Sequence, residues 1–254
     1  MPMDLLSPSP LVLSIIFFLV AFLYSSVGLG GGSSYTAILA IFNINYLAIP
    51  TITLTLNLFV TSVGNFNYIK NRHLRLRLFI PFLLASVPFS YLSGTLQLSK
   101  DTFWKILLIC LVLVAIRIYF FKNSTFDLKV SRIQQFILSL VLGAILGTIA
   151  GVTGLGGGIF LVPFILIFGL GNVKEAAACG SAFIWVNSLS GILARIQYTA
   201  IDISYLPVIL SVIMGGMLGS HLGASYFKPR TMEKILGLII IIAIALIARK
   251  IIQG

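Results

Sequence analysis

The chain carries six carboxylates (Asp4, Asp101, Asp127, Glu175, Asp202 and Glu233), two histidines (His73 and His221) and two cysteines (Cys110 and Cys179). Brought together, such groups make proteolytic dyads, buried proton relays or metal cages. Here every carboxylate falls at or near the end of an apolar stretch, and none occupies the middle of one. A relay or dyad working inside a membrane needs the opposite placement. Two histidines and no CxxC pattern give no metal-ligand spacing. No enzyme, metal or other cofactor is therefore expected, and the cysteines read as small buried hydrophobes.

The groups left to do chemistry are uncharged. The string Gly-Leu-Gly-Gly-Gly stands at 28–32, in SSVGLGGGSSY, and again at 154–158, in GVTGLGGGIFL. Each glycine costs a helix interior about 1 kcal/mol relative to alanine, and unpaired backbone groups in lipid cost several more. Broken backbone at membrane depth is tolerated where it is buried in protein or lines a polar cavity. A helix that restarts after such a break aims free N–H groups and a positive dipole end at one point, which suits an anion. The candidate substrate-binding residues are therefore Gly28, Gly30, Gly31, Gly32, Gly154, Gly156, Gly157 and Gly158. Ser33 and Ser34 join them, because their hydroxyls can donate to the same ligand. The competing reading is close packing: 28 with 32 and 154 with 158 each also form a GxxxG pair.

Further neutral polar residues sit at helical depth: Thr53, Thr55, Asn57, Thr61, Ser62, Asn65 and Asn67 in one stretch, Ser181, Asn187, Ser188 and Ser190 in another. Serine and threonine often bond their own i−4 carbonyl, whereas a buried asparagine needs outside partners. Asn57, Asn65, Ser181 and Asn187 are candidates for the site or for a helix partner. Arg195 is the basic residue that can reach inward from a span end; the alternative is an arginine snorkelling at the interface.

These residues must be held by membrane helices. Of 254 residues, 59% are hydrophobic and 9% charged, against roughly a quarter charged in a soluble domain. The mean hydropathy is +1.10. Apolar spans run at about 11–42, 48–69, 78–98 and 103–121, then at about 134–170, 176–197, 204–226 and 235–248. The net charge of +11 reflects basic residues that cluster between spans, at 70–77 and 117–132. That is the pattern of cytoplasmic loops, not of a nucleic-acid surface. The N-terminal ten residues lack the Lys or Arg of a signal peptide, so the first span is read as part of the mature protein.

The fold class expected is an all-α polytopic membrane protein with an internal duplication. A shift of 126 residues places 28–32 on 154–158, Ile41-Phe42 on Ile167-Phe168, Ser62 on Ser188 and Pro81 on Pro207. Three more residues bring Lys105-Ile106-Leu107 onto Lys234-Ile235-Leu236. The repeats are 1–121 and 133–254, joined by a cytoplasmic linker at 122–132, and duplicated halves around a central site are a transporter plan. Two topologies fit. In one, about eight segments cross and the first of each half is broken at its glycines, with the halves parallel. In the other, each glycine-broken segment is a re-entrant hairpin, leaving six full crossings and inverted halves. Length favours the first: the helical pieces of a broken segment span roughly 35–40 Å.

A four-span unit used twice, each copy opening on a GxGGG-broken helix, resembles the sulfite exporter TauE/SafE family, also called the 4-toluene sulfonate uptake permease family. The resemblance covers essentially the whole chain. It is closest at GVTGLGGGIFLVP with AAACGSAF, and looser after Gly32, where SSYTAI replaces an apolar-Pro continuation. It implies transport of a small sulfur-containing anion such as sulfite or an organosulfonate across the plasma membrane of a bacterium or archaeon, with the bilayer as the other partner and no nucleic acid. Export is favoured, since a negative interior drives anion exit by about 2.3 kcal/mol per charge per 100 mV. The alternatives are a membrane scaffold or assembly factor, in which the glycines only pack helices, and a transporter of a different small solute.

Overall fold

The computed structural model describes residues 10–26, 29–70, 73–120, 131–197, 205–226 and 229–252. Among them are ten helices: α1 (Pro10–Ser26), α2 (Gly32–Ile41), α3 (Ala48–Lys70), α4 (Leu76–Gly94), α5 (Lys100–Phe120), α6 (Arg132–Thr153), α7 (Gly158–Ile167), α8 (Val173–Arg195), α9 (Leu206–Tyr226) and α10 (Pro229–Ile252). Five stretches, within α3, α4, α5, α6 and α8, are long and apolar enough to cross a bilayer. The chain is an all-helical, multi-pass membrane protein. Leu11, Ile15, Leu84, Ile109 and Ile145 are among the large apolar side chains on its outer surface, as a lipid-facing surface requires. Of the linker expected at 122–132, only residues 131 and 132 are described.

Local chemistry sets several helix ends. Ser131 and Gln134 close a capping box at the start of α6, and Asn172 and Glu175 close another at the start of α8. At the end of α6, Gly154 takes φ +80 and returns its N–H to the Ala150 carbonyl, a left-handed cap that glycine adopts without the cost a Cβ would impose.

Contacts between helices fix their directions. On α2 and α3, Thr36 bonds Thr53 while Gly32 abuts Asn57, so the two run antiparallel. On α1 and α2, the Phe17 and Tyr35 rings meet and Tyr24 bonds Ser33 and Ser34, so these also run antiparallel. Helices α6 and α7 are arranged similarly. Gly157 approaches the Leu146 carbonyl, while the rings of Phe164 and Phe82 meet near Gly143, so α7 runs back along α6. Each glycine segment thus joins a hairpin, and this corrects the expectation of one interrupted rod. The length argument failed because a segment of that length can equally go in and return.

The ion pair of Arg75 with Glu175 puts the starts of α4 and α8 at the end of the bundle that bears the 70–77 loop. Gly94 beside Ala194 puts the ends of both helices at the other. Helix α1 packs on α9 as α6 packs on α4; α3 crosses α8, and α5 lies on α10. Two of these pairs are exceptionally close. Methyl groups at Gly143, Gly147 and Gly151 of α6 would run into the carbonyls of Phe82, Ser86 and Ser90 on α4, and those at Gly215 and Gly219 of α9 into Phe18 and Phe22 of α1.

Candidate functional site

The two glycine segments meet in the middle of the bundle. A methyl group at Gly32 would sit 2.5 Å from the Leu155 carbonyl oxygen and 2.6 Å from Asn57 Nδ2. One at Gly156 would sit 3.0 Å from the same Nδ2, and Gly30, Gly156 and Gly158 all abut Ile184 of α8. Asn57 is fully buried at this junction. Its Nδ2 donates to the Gly154 carbonyl at 3.2 Å, and its Oδ1 has no hydrogen-bond partner. The second segment reaches this geometry through left-handed backbone at Gly154, Gly156 and Gly157, which side chains on L-residues oppose.

Both returning helices begin at the junction. In α2 the Tyr35 N–H bonds back to Gly31, and the N–H groups of Gly32, Ser33 and Ser34 have no intrahelical acceptors, as at any helix start. In α7 the N–H groups of Phe160 and Leu161 share the Gly157 carbonyl and that of Gly158 bonds Gly156. The starts of α2 and α7 therefore meet at one buried spot, where the ends of α1 and α6 also lie. The three atoms that a methyl group would meet most closely at Gly30, Gly31, Gly32, Gly154, Gly156, Gly157 or Gly158 belong in no case to Asp, Glu, Lys, Arg or His. An arrangement of this kind can bind an anion by backbone donors.

The remaining candidates distribute as follows. Gly28 lies outside the described residues. Ser33 and Ser34 are buried beside the junction, but their hydroxyls are engaged by the Tyr24 hydroxyl at 2.7 and 3.1 Å. Asn65 is two turns further along α3, and Ser181 faces Gly64 of that helix; neither reaches the junction. Asn187 turns toward α4, donating to Ser86 Oγ at 3.1 Å and to its own i−4 carbonyl at Phe183. Arg195 is buried at the end of α6, where Nε and Nη2 bond the Gly151 carbonyl and Nη2 also bonds Val152. Beside it is a small cavity lined by Tyr46, Pro50, Leu98 and Phe103.

Three residues that sequence reasoning did not single out shape the junction. Ile184 walls it, Tyr24 holds both serines, and the Tyr35 ring lies against Gly31 with its hydroxyl unpartnered. Ile184 carries no sequence signal that separates it from other apolar residues. The two tyrosines, nine residues before Ser33 and four after Gly31, were legible as polar-tipped residues flanking the break.

A family model described as Sulfite exporter TauE/SafE matches residues 13–250. A probable membrane transporter protein of Sinorhizobium fredii is 29% identical over 235 residues, covering 91% of this chain and 95% of the relative. Another of Methanocaldococcus jannaschii is 30% identical over 219 residues, 80% of each chain. A third, of Bacillus subtilis, is 26% identical over 248 residues, covering 88% of this chain and 94% of the relative. No solved structure matches the chain.

Proposed function

The chain belongs to the sulfite exporter TauE/SafE family, and from that membership and the junction's geometry we propose a secondary transporter or facilitator for a small sulfur-containing anion, bound between the two glycine segments. The carrying observation is the convergence of two helix starts on one buried spot spanned by Asn57. Backbone N–H groups hold the anion and Asn57 spans both segments. The glycine tips are closed on each other in this conformation, so the ligand enters only when they part.

The reading extends to topology. The paired contacts exchange partners when the halves are exchanged: α1 with α9 becomes α6 with α4, and α2 with α3 becomes α7 with α8. That supports a duplication with inverted halves, in which α1–α2 and α6–α7 enter from opposite faces and six other helices cross the plasma membrane. With the basic 70–77 loop cytoplasmic, α6–α7 enters from inside and the N-terminus lies outside. Export is the favoured direction, since the membrane potential expels anions without a coupling ion.

The test is a thermal-shift screen of purified protein against sulfite, thiosulfate, sulfoacetate, taurine, sulfate and chloride, followed by flux of each hit into proteoliposomes. Stabilisation and flux by sulfur oxyanions are expected. Stabilisation by cations or neutral solutes alone refutes the anion site.

The scaffold reading has one observation in its favour, the tightness of the glycine contacts. It predicts that none of these anions stabilises the protein.

A further inference from the structure

We propose that the Tyr35 hydroxyl is a substrate-binding group of the junction, the side-chain donor that the first glycine segment offers to an oxyanion. This inference rests on the anion site proposed above and adds a residue to it.

Helix geometry sets where the hydroxyl points. Every Cα–Cβ bond of an α-helix tilts toward the N-terminus, so a side chain in the first turn leans over the helix start. Tyr35 is the fourth residue of α2, and its ring folds back onto Gly31. The hydroxyl oxygen lies 2.7 Å from the place a methyl group on Gly31 would take. The N–H groups of Gly32, Ser33 and Ser34 leave the helix at that same end, and Gly30 and Gly32, on either side of Gly31, both abut Asn57. The phenol O–H thus stands at the tip of the first segment, beside the backbone donors.

The fold makes no use of that O–H. Tyr35 is 0% exposed, and its hydroxyl has no hydrogen-bond partner among the described residues. The other hydroxyls of this tip are spent on one another, Tyr24 bonding both Ser33 and Ser34. Packing is done by the ring, which meets the Phe17 ring with centroids 5.1 Å apart, and a phenylalanine ring would pack equally well. Burying an unpaired hydroxyl is costly, so its presence calls for a partner that comes and goes. A phenol is protonated at neutral pH. It therefore brings a donor, and an oxyanion is the acceptor that fits it.

The second segment has no such group. On the proposed duplication, the shift of 126 residues sets Leu161 in the place of Tyr35, Ile159 and Phe160 in those of Ser33 and Ser34, and Phe183 in that of Asn57. The Phe183 ring lies against Gly157. Side-chain donors to the ligand therefore come from the first segment, and the second offers backbone.

The experiment compares Tyr35→Phe with wild type, each as the full chain in detergent, by thermal unfolding and by calorimetric titration with sulfite, thiosulfate and sulfoacetate. Without ligand, Tyr35→Phe should melt at or above the wild-type temperature, because the removed hydroxyl bonds nothing in the protein. Every one of these anions that binds wild type should bind the variant about tenfold more weakly, the worth of one lost donor. Flux into proteoliposomes should show the same loss as a raised KM. Melting below wild type, as Tyr24→Phe should show for the bonds it gives up to Ser33 and Ser34, would make the Tyr35 hydroxyl structural and overturn the inference. Unchanged anion affinity in Tyr35→Phe overturns it too, while leaving the anion site standing. Failure of all three anions to bind wild type overturns both.

Discussion

Replacing Gly32 with alanine tests the junction with a single carbon. Gly32 is the first residue of α2 and its backbone suits any residue there, so the cost is steric. The new methyl would lie 2.5 Å from the Leu155 carbonyl oxygen, about 0.9 Å short of the 3.4 Å at which ordinary contact begins. That oxygen belongs to backbone and cannot rotate aside. The second neighbour, Asn57 Nδ2 at 2.6 Å, can yield only by loosening its bond to Gly154. Overpacking of this kind costs about 1–3 kcal/mol, and the loosened hydrogen bond adds about 1 kcal/mol. The closed junction should lose about 2–4 kcal/mol, which shifts the balance toward parted tips by about 30-fold to several hundred-fold. Thermal unfolding of the detergent-solubilised variant should occur several degrees lower. Flux into proteoliposomes should fall at least about tenfold if each cycle passes through the closed state. Gly64→Ala is the matched control, since its methyl meets only the rotatable Ser181 hydroxyl at 3.2 Å. Wild-type melting and flux in Gly32→Ala would refute the meeting of the two segments.

Gly169→Ala tests a glycine away from the junction. Gly169 has φ +62 and nothing within 4 Å of a methyl, so the change should cost about 1–2 kcal/mol of stability and leave flux untouched. Arg195→Lys replaces a fork that bonds two carbonyls with a single ammonium, and should cost about 1–3 kcal/mol by thermal unfolding. Flux loss without destabilisation would instead assign Arg195 to the substrate path. For topology, a membrane-impermeant maleimide should label Gln97→Cys on intact cells and His73→Cys only after permeabilisation, the native cysteines both being buried. The reverse pattern would sink the assignment of the 70–77 loop to the cytoplasm.

What the sequence disclosed and what it withheld divide along physical lines. The apolar spans and the glycine strings are local signals, and α2 and α7 do begin at Gly32 and Gly158. Choosing Asn57 over Asn65 and Asn187 was beyond sequence, because all three are asparagines inside apolar helices. Only the packing of α2 and α7 decides which asparagine faces both breaks. The hairpins were equally hidden, since chain direction after a glycine break depends on distant contacts. The bond between Arg75 and Glu175, 100 residues apart, is one such contact. The serines after the first string were read as donors to the ligand; their engagement by Tyr24 depends on α1 folding back.

The glycine ribbons constrain how a transporter of this shape can move. Helix α6 lies so close to α4 that the Phe82, Ser86 and Ser90 carbonyls fill the places where side chains would be, and α9 meets α1 at Phe18 and Phe22 in the same way. Sliding along such an interface would drive backbone into backbone, so each pair moves as one body. On the proposed duplication, α6–α7 is thereby tied to a helix of the first half and α1–α2 to a helix of the second. The moving units are then not the two sequence repeats but two bodies that each draw on both. Between them, the crossing of α3 and α8 rests on side chains, with Trp185 on Ser62 and Leu54 against Gly191, and side chains can repack. Rocking about that crossing would part the tips at Asn57 toward one face and then toward the other. An anion held by both helix starts would be released by whichever tip withdraws.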